Sequence, residues 1–319
     1  MRFSIVSCCK TVMGVLKTTE KQITIKAPWG KIEGLTWGDS RNPPVLLCPG
    51  RMEPCSAFRP LIQLLPNAFF YVSVDLPGNG WSDHLPKGVK YTSYDLVPTI
   101  VRVMEHYKWD RFLYVGHSLG ALVGTYFNMA YPGRIARMVY LDPIPLFYSS
   151  RADLMGAWYL KFYGEYYTDD KYAKHNGGAD TAPTYTYDQV RKMLMNVQGL
   201  TEDAVEHVLE RSLEPAGNGL FRFTYDQRLK QIPEMPYTPS YLKEMYTLTD
   251  IPILNILAKD IIDRGIYDKV PFIRDEDAWP NKNYKFKIVE GNHDVHVNYP
   301  ERFAEDISKF LLADVKAKL

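Results

Sequence analysis

A serine between two glycines, in the stretch YVGHSLGA, places the tightest constraint on how this chain can fold. The β-branched and aromatic residues 111–115 before it predict a buried strand, and residues 121–131 after it predict a helix. Gly116 and Gly120 flank Ser118, which gives the pattern Gly-X-Ser-X-Gly. So sharp a turn from strand to helix has no room for side chains beside the serine. The pattern therefore predicts that Ser118 is held up, away from the sheet.

The chemistry of a serine sets the other requirements of such a site. A serine hydroxyl is a poor nucleophile near neutral pH, so it needs a base, and its oxyanion needs hydrogen-bond donors. The backbone N–H of Leu119 lies in the first turn of the predicted helix, where unpaired donors favour negative charge. Gly50 and Arg51 follow the predicted strand 44–48. We assign the backbone N–H of Arg51 as the second oxyanion donor.

Three polar residues directly follow the ends of predicted strands. They are Ser118, Asp260 and His293, in the chain order nucleophile, acid, histidine. His293 stands at the end of the predicted strand 284–289, whereas His296 lies further into the loop. An imidazole can take the serine proton and return it, and a carboxylate can hold its tautomer. The order predicts a triad of Ser118, Asp260 and His293.

Other residues compete for these roles. Asp142 and Asp263 are alternative acids, and we interpret Asp142, which precedes a proline, as the start of a turn because aspartate forms Asx-turns. Asp294 with the two neighbouring histidines is a candidate metal cluster. No fourth ligand lies nearby in sequence and zinc motifs have other spacings, so we expect neither a metal nor a cofactor.

The order of predicted elements indicates the fold class. Strands alternate with helices over residues 22–143 and 248–319, which predicts an α/β core with a mostly parallel sheet and helices on both faces. Ligands of such sheets bind beyond the carboxyl ends of the strands. Residues 144–247 are richer in Gly, Pro and Tyr and hold short helices. We interpret them as a cap insertion over the strand ends, and residues 1–21 as an N-terminal extension.

Tyrosine is unusually frequent in the first half of this insertion. Aromatic walls with hydroxyl tips suit an apolar or amphipathic acyl chain, which is the substrate we expect. Packing of the same rings between the cap and the core is the alternative. The tyrosines are Tyr148, Tyr159, Tyr163, Tyr166, Tyr167, Tyr172, Tyr185 and Tyr187.

Composition and the two ends of the chain bear on partners and location. A net charge of +1 over 319 residues gives no field that would collect nucleic acid, and the sequence lacks the 18 consecutive apolar residues of a membrane span. Four cysteines are too few for a disulfide scaffold, which favours a reducing compartment.

The basic residues, Ser and Thr of residues 1–21 mildly suggest a mitochondrial presequence. Ala317-Lys318-Leu319 is similar to a peroxisomal signal, so we expect a peroxisomal import receptor as partner, with the cytoplasm as the alternative location.

Several motifs together resemble one family. They are the strand-and-turn residues 27–30, the stretch DLPGNGWS at 75–82, the serine turn, Gly291-Asn292-His293 and Pro300-Glu301. From about residue 23 to 312 the chain resembles the α/β-hydrolases, and closely the serine hydrolase-like (kraken-like) proteins. The resemblance implies a serine hydrolase that acts on a small molecule, without naming the substrate. Where that family usually has His-Gly, this chain has Pro49-Gly50, followed by the residues RMEP.

These observations predict an enzyme that cleaves a carboxylic ester or thioester through an acyl-enzyme on Ser118. Amide, lactone or carbon–carbon bond hydrolysis would use the same residues, so the bond type stays open. The alternative from another class is a ligand-binding or interaction protein on a hydrolase scaffold. The altered loop of residues 49–54 motivates that alternative.

Overall fold

A computed structural model describes residues 20–144, 147–149 and 151–313 of the chain. Residues 1–19 of the N-terminal extension lie outside the described residues, as does the C-terminal Ala317-Lys318-Leu319. The targeting predictions for both ends therefore remain predictions. Among the described residues, no helix combines the length and apolar character needed to cross a bilayer.

The strands, in chain order, are β1 (Lys21–Ala27), β2 (Gly30–Trp37), β3 (Pro44–Cys48), β4 (Phe70–Val74), β5 (Phe112–His117), β6 (Ile135–Leu141), β7 (Phe147–Ser149), β8 (Leu213–Gly217), β9 (Leu220–Phe223), β10 (Met235–Tyr237), β11 (Ile253–Ala258) and β12 (Tyr284–Val289). The α-helices are α1 (Arg59–Ile62), α2 (Val97–Tyr107), α3 (Leu119–Ala130), α4 (Met155–Tyr159), α5 (Asp169–Asn176), α6 (Tyr187–Val197), α7 (Glu202–Ser212), α8 (Pro239–Thr247), α9 (Lys259–Asp263), α10 (Val295–Asn298) and α11 (Ala304–Leu312).

Eight of these strands form one sheet in the order β1-β2-β4-β3-β5-β6-β11-β12. The first two form an antiparallel hairpin, and β2 also pairs antiparallel with β4. All pairs from β4 to β12 are parallel. Parallel neighbours bring their carboxyl ends to one edge, where β3, β5, β6, β11 and β12 all deliver a loop. This confirms the predicted α/β class with a mostly parallel sheet.

The centre of the sheet is buried on both faces. Every residue of β4, β5 and β11 is buried. Because alternate side chains of a strand point to opposite faces, such strands must be covered on both sides. The helix α3 contributes to this cover, with its first nine residues all buried. The rigid centre thus carries the serine turn, which joins β5 to α3.

The chain leaves the large sheet between β6 and β11. Within the described part of this segment, which we call the insert (residues 151–247), no strand joins the large sheet, and β8 and β9 form a separate antiparallel pair. Helix α7 of the insert packs on the loop after β3, where Ser56 Oγ donates to the carbonyl of His207 at 2.6 Å. Val205 and Val208 share a second apolar cluster with Ala57 and Val297. The insert therefore lies against the loops that follow β3 and β12.

A buried ion pair joins the insert to the core. Arg211, at the end of α7, donates to Asp75 Oδ2 at 2.6 Å and 3.0 Å, and both side chains are fully buried. Asp75 follows β4 and also accepts the backbone N–H groups of Cys55 and Trp81. The guanidinium lies 3.9 Å from the ring centroid of Trp81. This pair fixes the carboxyl end of α7 relative to the sheet.

We expect Arg211→Met to lower the free energy of unfolding by about 3 to 5 kcal/mol, because it leaves the buried carboxylate of Asp75 without its cation. Urea unfolding measures this loss. Arg41→Met is the control, since the Arg41 pair with Asp39 is exposed, and its unfolding midpoint should be nearly unchanged. A midpoint for Arg211→Met equal to that of the control would show that this pair does not stabilise the docked insert.

Candidate active site

Ser118 occupies a strained turn between β5 and α3. Its φ of 50° and ψ of −116° lie outside the ordinary helical and extended regions. A Cβ at Gly120 would stand 2.2 Å from the carbonyl oxygen of Cys48, and one at Gly116 would stand 2.6 Å from the backbone nitrogen of Ala121. Both positions therefore require glycine. The helix begins at Leu119, two residues earlier than the apolar pattern predicts, because Ser118 itself is the N-cap residue.

The residue that pairs with His293 is Asp142. His293 Nδ1 lies 2.6 Å from Asp142 Oδ2. The other carboxylate oxygen, Oδ1, accepts the N–H of Ala258 at 2.8 Å and the hydroxyl of Tyr267 at 2.7 Å. Asp142 is completely buried. Three donors thus orient this carboxylate, and it in turn orients the imidazole.

The assignment of Asp260 as the acid is wrong. Asp260 lies in the first turn of α9, and its side chain is exposed to solvent. Its backbone N–H donates to Gly291, so the residue contacts the histidine loop through the main chain alone. Helix α9 begins directly after β11 and carries the Asp260 side chain to the surface. Asp263, the other alternative, pairs with Lys259 on the same helix.

Asp142 follows the strand that lies next to the strand of Ser118. In the sheet, β6 lies between β5, which carries the serine, and β11, with β12 and its histidine loop beyond. Asp142 directly follows β6 and has a φ of 44°, so the chain turns sharply there. The turn that we inferred at Asp142 is present. Its carboxylate, however, faces the histidine loop.

His293 and Ser118 line the same cavity, which has a volume of about 280 Å³. Since Nδ1 of His293 is engaged by Asp142, Nε2 is the ring nitrogen left to serve the serine. Arg51 and Leu119, the two expected oxyanion residues, line this cavity as well. As the first residue of α3, Leu119 has a backbone N–H with no acceptor within the helix. The carboxyl edge of the sheet thus brings together every predicted site residue except Asp260.

A buried cluster of Glu53, His117 and His296 lies beside this cavity. Glu53 Oε2 is 2.7 Å from His117 Nδ1, and Glu53 Oε1 is 2.7 Å from His296 Nε2. Their ligand atoms lie within 4.8 Å of one another, and two imidazoles with a carboxylate are donors that zinc accepts. Here the carboxylate already hydrogen bonds to both imidazoles, while the buried Nδ1 of His296 has no hydrogen-bond partner. His296, set aside as a competing base, belongs to this cluster.

The pKa values of two carboxyls in this region are shifted in opposite directions. Burial raises the pKa of Asp294, which lines the cavity, and nearby His117 and His293 only partly offset the effect. Burial also acts to raise the pKa of Glu53, but the charges and hydrogen bonds of His117 and His296 outweigh it and hold that pKa well below its usual range. Glu53 is therefore an ionised carboxylate in a buried position.

The cavity walls combine aliphatic and polar side chains. Val208 and Ile232 of the insert line the cavity together with Met52 and Leu119 of the core and with Ile144. Among the described residues that line the cavity there is no tyrosine. Tyr159 and Tyr167 are exposed, and Tyr166 packs on its neighbours Tyr167 and His175. The tyrosine-lined wall that the composition predicted is therefore not found in this part of the chain.

Sequence reasoning missed Glu53, His117 and the walls that the insert supplies. The signal for Glu53 was available, since an acidic residue three positions after Gly50 can fold back to its N–H, as it does here. His117 gave no separate signal because it lies inside the serine motif. Val208 and Ile232 are 24 residues apart in sequence, and only the packing of the insert brings them to one wall.

Comparison with known proteins identifies the family to which this chain belongs. A family model described as alpha/beta hydrolase fold matches residues 43–298, so this chain belongs to the α/β-hydrolase family. Among curated proteins, the chain is similar to a serine hydrolase-like protein of Danio rerio, with 27% identity over 303 residues that cover 93% of this chain and 90% of the relative. It is 28% identical to serine hydrolase-like protein 2 of Homo sapiens, over 91% of this chain and 93% of that protein. These findings confirm the resemblance and support a hydrolase.

Solved structures show the same fold. The thioesterase domain from the curacin biosynthetic pathway aligns with a TM-score of 0.70 at 18% identity, over 91% of this chain and 99% of that domain. An esterase of M. tuberculosis aligns with a TM-score of 0.66 at 17% identity, over 96% of each chain. At such identities the likeness shows the shared fold alone.

Proposed function

We propose that this protein is a serine hydrolase that cleaves a carboxylic ester or thioester of a small apolar or amphipathic molecule through an acyl-enzyme on Ser118. The observation that carries the proposal is the 2.6 Å contact between His293 Nδ1 and the buried Asp142, in a cavity that Ser118 also lines. A carboxylate that orients a histidine beside a strained, accessible serine is the arrangement that activates a hydroxyl for acyl transfer.

Each residue has a role in the proposed reaction. Ser118 Oγ attacks the acyl carbon while His293 Nε2 takes its proton, and the backbone N–H groups of Leu119 and Arg51 stabilise the oxyanion. The same proton passes to the leaving alcohol or thiol, which departs and leaves an ester on Ser118. Water, activated by His293, then hydrolyses this ester and regenerates the serine. Asp142 stabilises the imidazolium that forms in both halves.

The cavity limits the size of the acyl group. A volume of about 280 Å³ lies at the lower end of the range for small-molecule sites, and its aliphatic walls favour an unbranched apolar chain. Gln198, Arg51 and Asp294 supply polar groups around the apolar walls. Since Val208 and Ile232 come from the insert, we propose that the segment from 144 to 247 acts as the cap that selects the substrate.

We expect Ile232→Trp to shorten the preferred acyl chain, because a larger side chain fills the cavity wall beside the serine. In a p-nitrophenyl ester series from acetate to octanoate, kcat/KM for octanoate should fall at least about tenfold relative to acetate. Ile232→Val, which removes one methyl group, is the matched control and should change this ratio only slightly. An unchanged chain-length profile in the tryptophan variant would place the acyl chain elsewhere.

A fluorophosphonate probe tests the proposal directly. This reagent phosphonylates activated serines, so we expect a label that peptide mass spectrometry locates on Ser118, together with turnover in a panel of esters, thioesters and lactones. The panel also settles which bond is preferred. Failure to label at any pH between about 6 and 9, a range that spans the ordinary histidine pKa, would favour the ligand-binding alternative.

A further inference from the structure

Three nitrogen atoms from three parts of the chain contact the buried carboxylate of Glu53. The backbone N–H of Gly50, in the loop after β3, and His117 Nδ1, at the end of β5, both bond to Oε2. His296 Nε2, in the loop after β12, bonds to Oε1. The side chains are nearly or fully buried, with exposures of 8% for Glu53, 2% for His117 and none for His296. The carboxylate therefore connects three segments: the loop after β3 that holds Gly50 and Arg51, which we call the oxyanion loop, the strand β5 before Ser118, and the loop after β12 that holds His293.

The hydrogen-bond partners of each ring nitrogen indicate where the protons of this network lie. His117 Nε2 is 3.1 Å from the backbone carbonyl oxygen of His293, which can only accept. His117 Nδ1 faces Glu53 Oε2, which also accepts the backbone N–H of Gly50. Both ring nitrogens of His117 thus face oxygen atoms, and an imidazolium would satisfy both contacts. His296 differs, because its buried Nδ1 has no hydrogen-bond partner and a neutral ring satisfies its single bond.

We propose that Glu53 and a doubly protonated His117 are positioning residues, which fix the oxyanion loop and the backbone of His293 beside Ser118. This inference rests on the proposed function and adds to it. His117 reaches the histidine loop through its Nε2 hydrogen, and Glu53 reaches the oxyanion loop through Gly50. Among the described residues, the other charged or titratable groups that interact with the pair include His296, His293, Asp294 and Cys48.

We expect the ion pair between Glu53 and His117, rather than packing alone, to hold the oxyanion loop and the histidine loop in position. A carboxylate buried to this degree requires compensation, and the single positive charge of His117 supplies it at 2.7 Å. Once the carboxylate is neutralised, a buried imidazolium becomes unfavourable, so His117 would lose one proton and with it one of its two hydrogen bonds. Either loss frees a loop on which the proposed reaction depends.

Histidine-selective ¹⁵N NMR of the full chain, without substrate, tests the proton assignment. Among the seven histidines, a signal with hydrogens on both ring nitrogens at pH 7 should disappear from the spectrum of His117→Gln. A second such signal, from His84, whose ring lies between Asp226 and the carbonyl of Thr224, should remain. A single protonated nitrogen on His117 would overturn the proposal. This measurement needs no activity, so it stands apart from any failure of the ester-hydrolysis proposal.

The variant Glu53→Gln tests the positioning role, since it keeps the shape and removes the charge. We expect kcat for an activated ester to fall about 10- to 100-fold while KM stays within about twofold, because displaced catalytic groups cost rate and the binding walls are unchanged. The NMR pattern of His117 should change to one proton. Unchanged kcat in a folded Glu53→Gln protein would refute the positioning role.

Asp226→Asn is the matched control for this variant. Asp226 is also a buried acid with a cation, Arg228, at 2.6 Å, but it borders a different cavity from the one that Ser118 lines. The Asp226→Asn variant should have a lower free energy of unfolding, as Glu53→Gln does, but an unchanged kcat and unchanged NMR signals of His117. If Asp226→Asn lowered kcat as much as Glu53→Gln does, general destabilisation would explain the loss and the proposal would fail.

Discussion

Replacement of Ser118 by alanine should lower kcat/KM for an activated short-chain ester by about 10⁴-fold or more, the scale on which serine hydrolases depend on their nucleophile. The reason is that alanine keeps Cβ and the strained backbone of the turn but has no oxygen to form the acyl-enzyme. Hydrolysis of p-nitrophenyl butyrate, followed over a wide range of enzyme concentrations, measures the loss.

The fold of this variant should be intact, because only one oxygen atom is removed from a site that lines a cavity. Its thermal midpoint should match that of the unmodified protein. Ser240→Ala, which removes an exposed hydroxyl near the start of α8, is the control and should retain full activity and fluorophosphonate labelling. Turnover by Ser118→Ala at the level of the control would exclude an acyl-enzyme on this residue.

Asp142→Asn should lower kcat by about 10⁴-fold, whereas Asp260→Asn should leave it unchanged. An asparagine at 142 can keep its oxygen on the N–H of Ala258 and the hydroxyl of Tyr267. Its NH₂ then faces His293 Nδ1, which must become an acceptor. The hydrogen moves to Nε2, and the histidine can no longer take the serine proton. Steady-state kinetics of the two variants measure the difference.

The comparison separates catalysis from stability, because both substitutions exchange one carboxylate oxygen for an NH₂ group. Thermal melting of each variant checks that the fold persists at the assay temperature. Equal losses in the two variants, or a larger loss in Asp260→Asn, would contradict the pairing of His293 with Asp142. Asp260 is exposed and meets Gly291 only through its backbone, so its side-chain charge has no path to the imidazole.

Local chemistry explains why the serine turn could be predicted. The glycine at 116 is required by the backbone of Gly120 and Ala121 in the same turn, whereas the glycine at 120 is required by the end of β3 at Cys48. The apolar runs of β3, β5 and β11 likewise mark central strands, since a strand buried on both faces has no polar side to alternate with. Apart from the contact of Gly120 with β3, such features are determined by residues close together in sequence. They were predicted with small errors at the boundaries.

The acid could not be chosen in this way. Asp142 and Asp260 both follow a strand, and the local sequence favoured Asp260 because the next residue after Asp142 is proline. What distinguishes them is the direction of the chain beyond the strand: α9 starts at once after β11 and turns Asp260 outward, while the turn after β6 leaves Asp142 buried. That difference depends on how neighbouring segments pack, which spacing does not encode.

By itself, the sequence determined an α/β core, the position of the serine turn and the histidine that follows the last strand, because strand propensity, glycine geometry and chain order are properties of short segments. Only the tertiary structure decided which carboxylate meets His293, that Glu53 bonds to His117 and His296, and that aliphatic side chains of the insert line the cavity. Each of these is a contact between residues far apart in the chain. Their partners are fixed by the order of strands in the sheet and by the packing of the insert upon it.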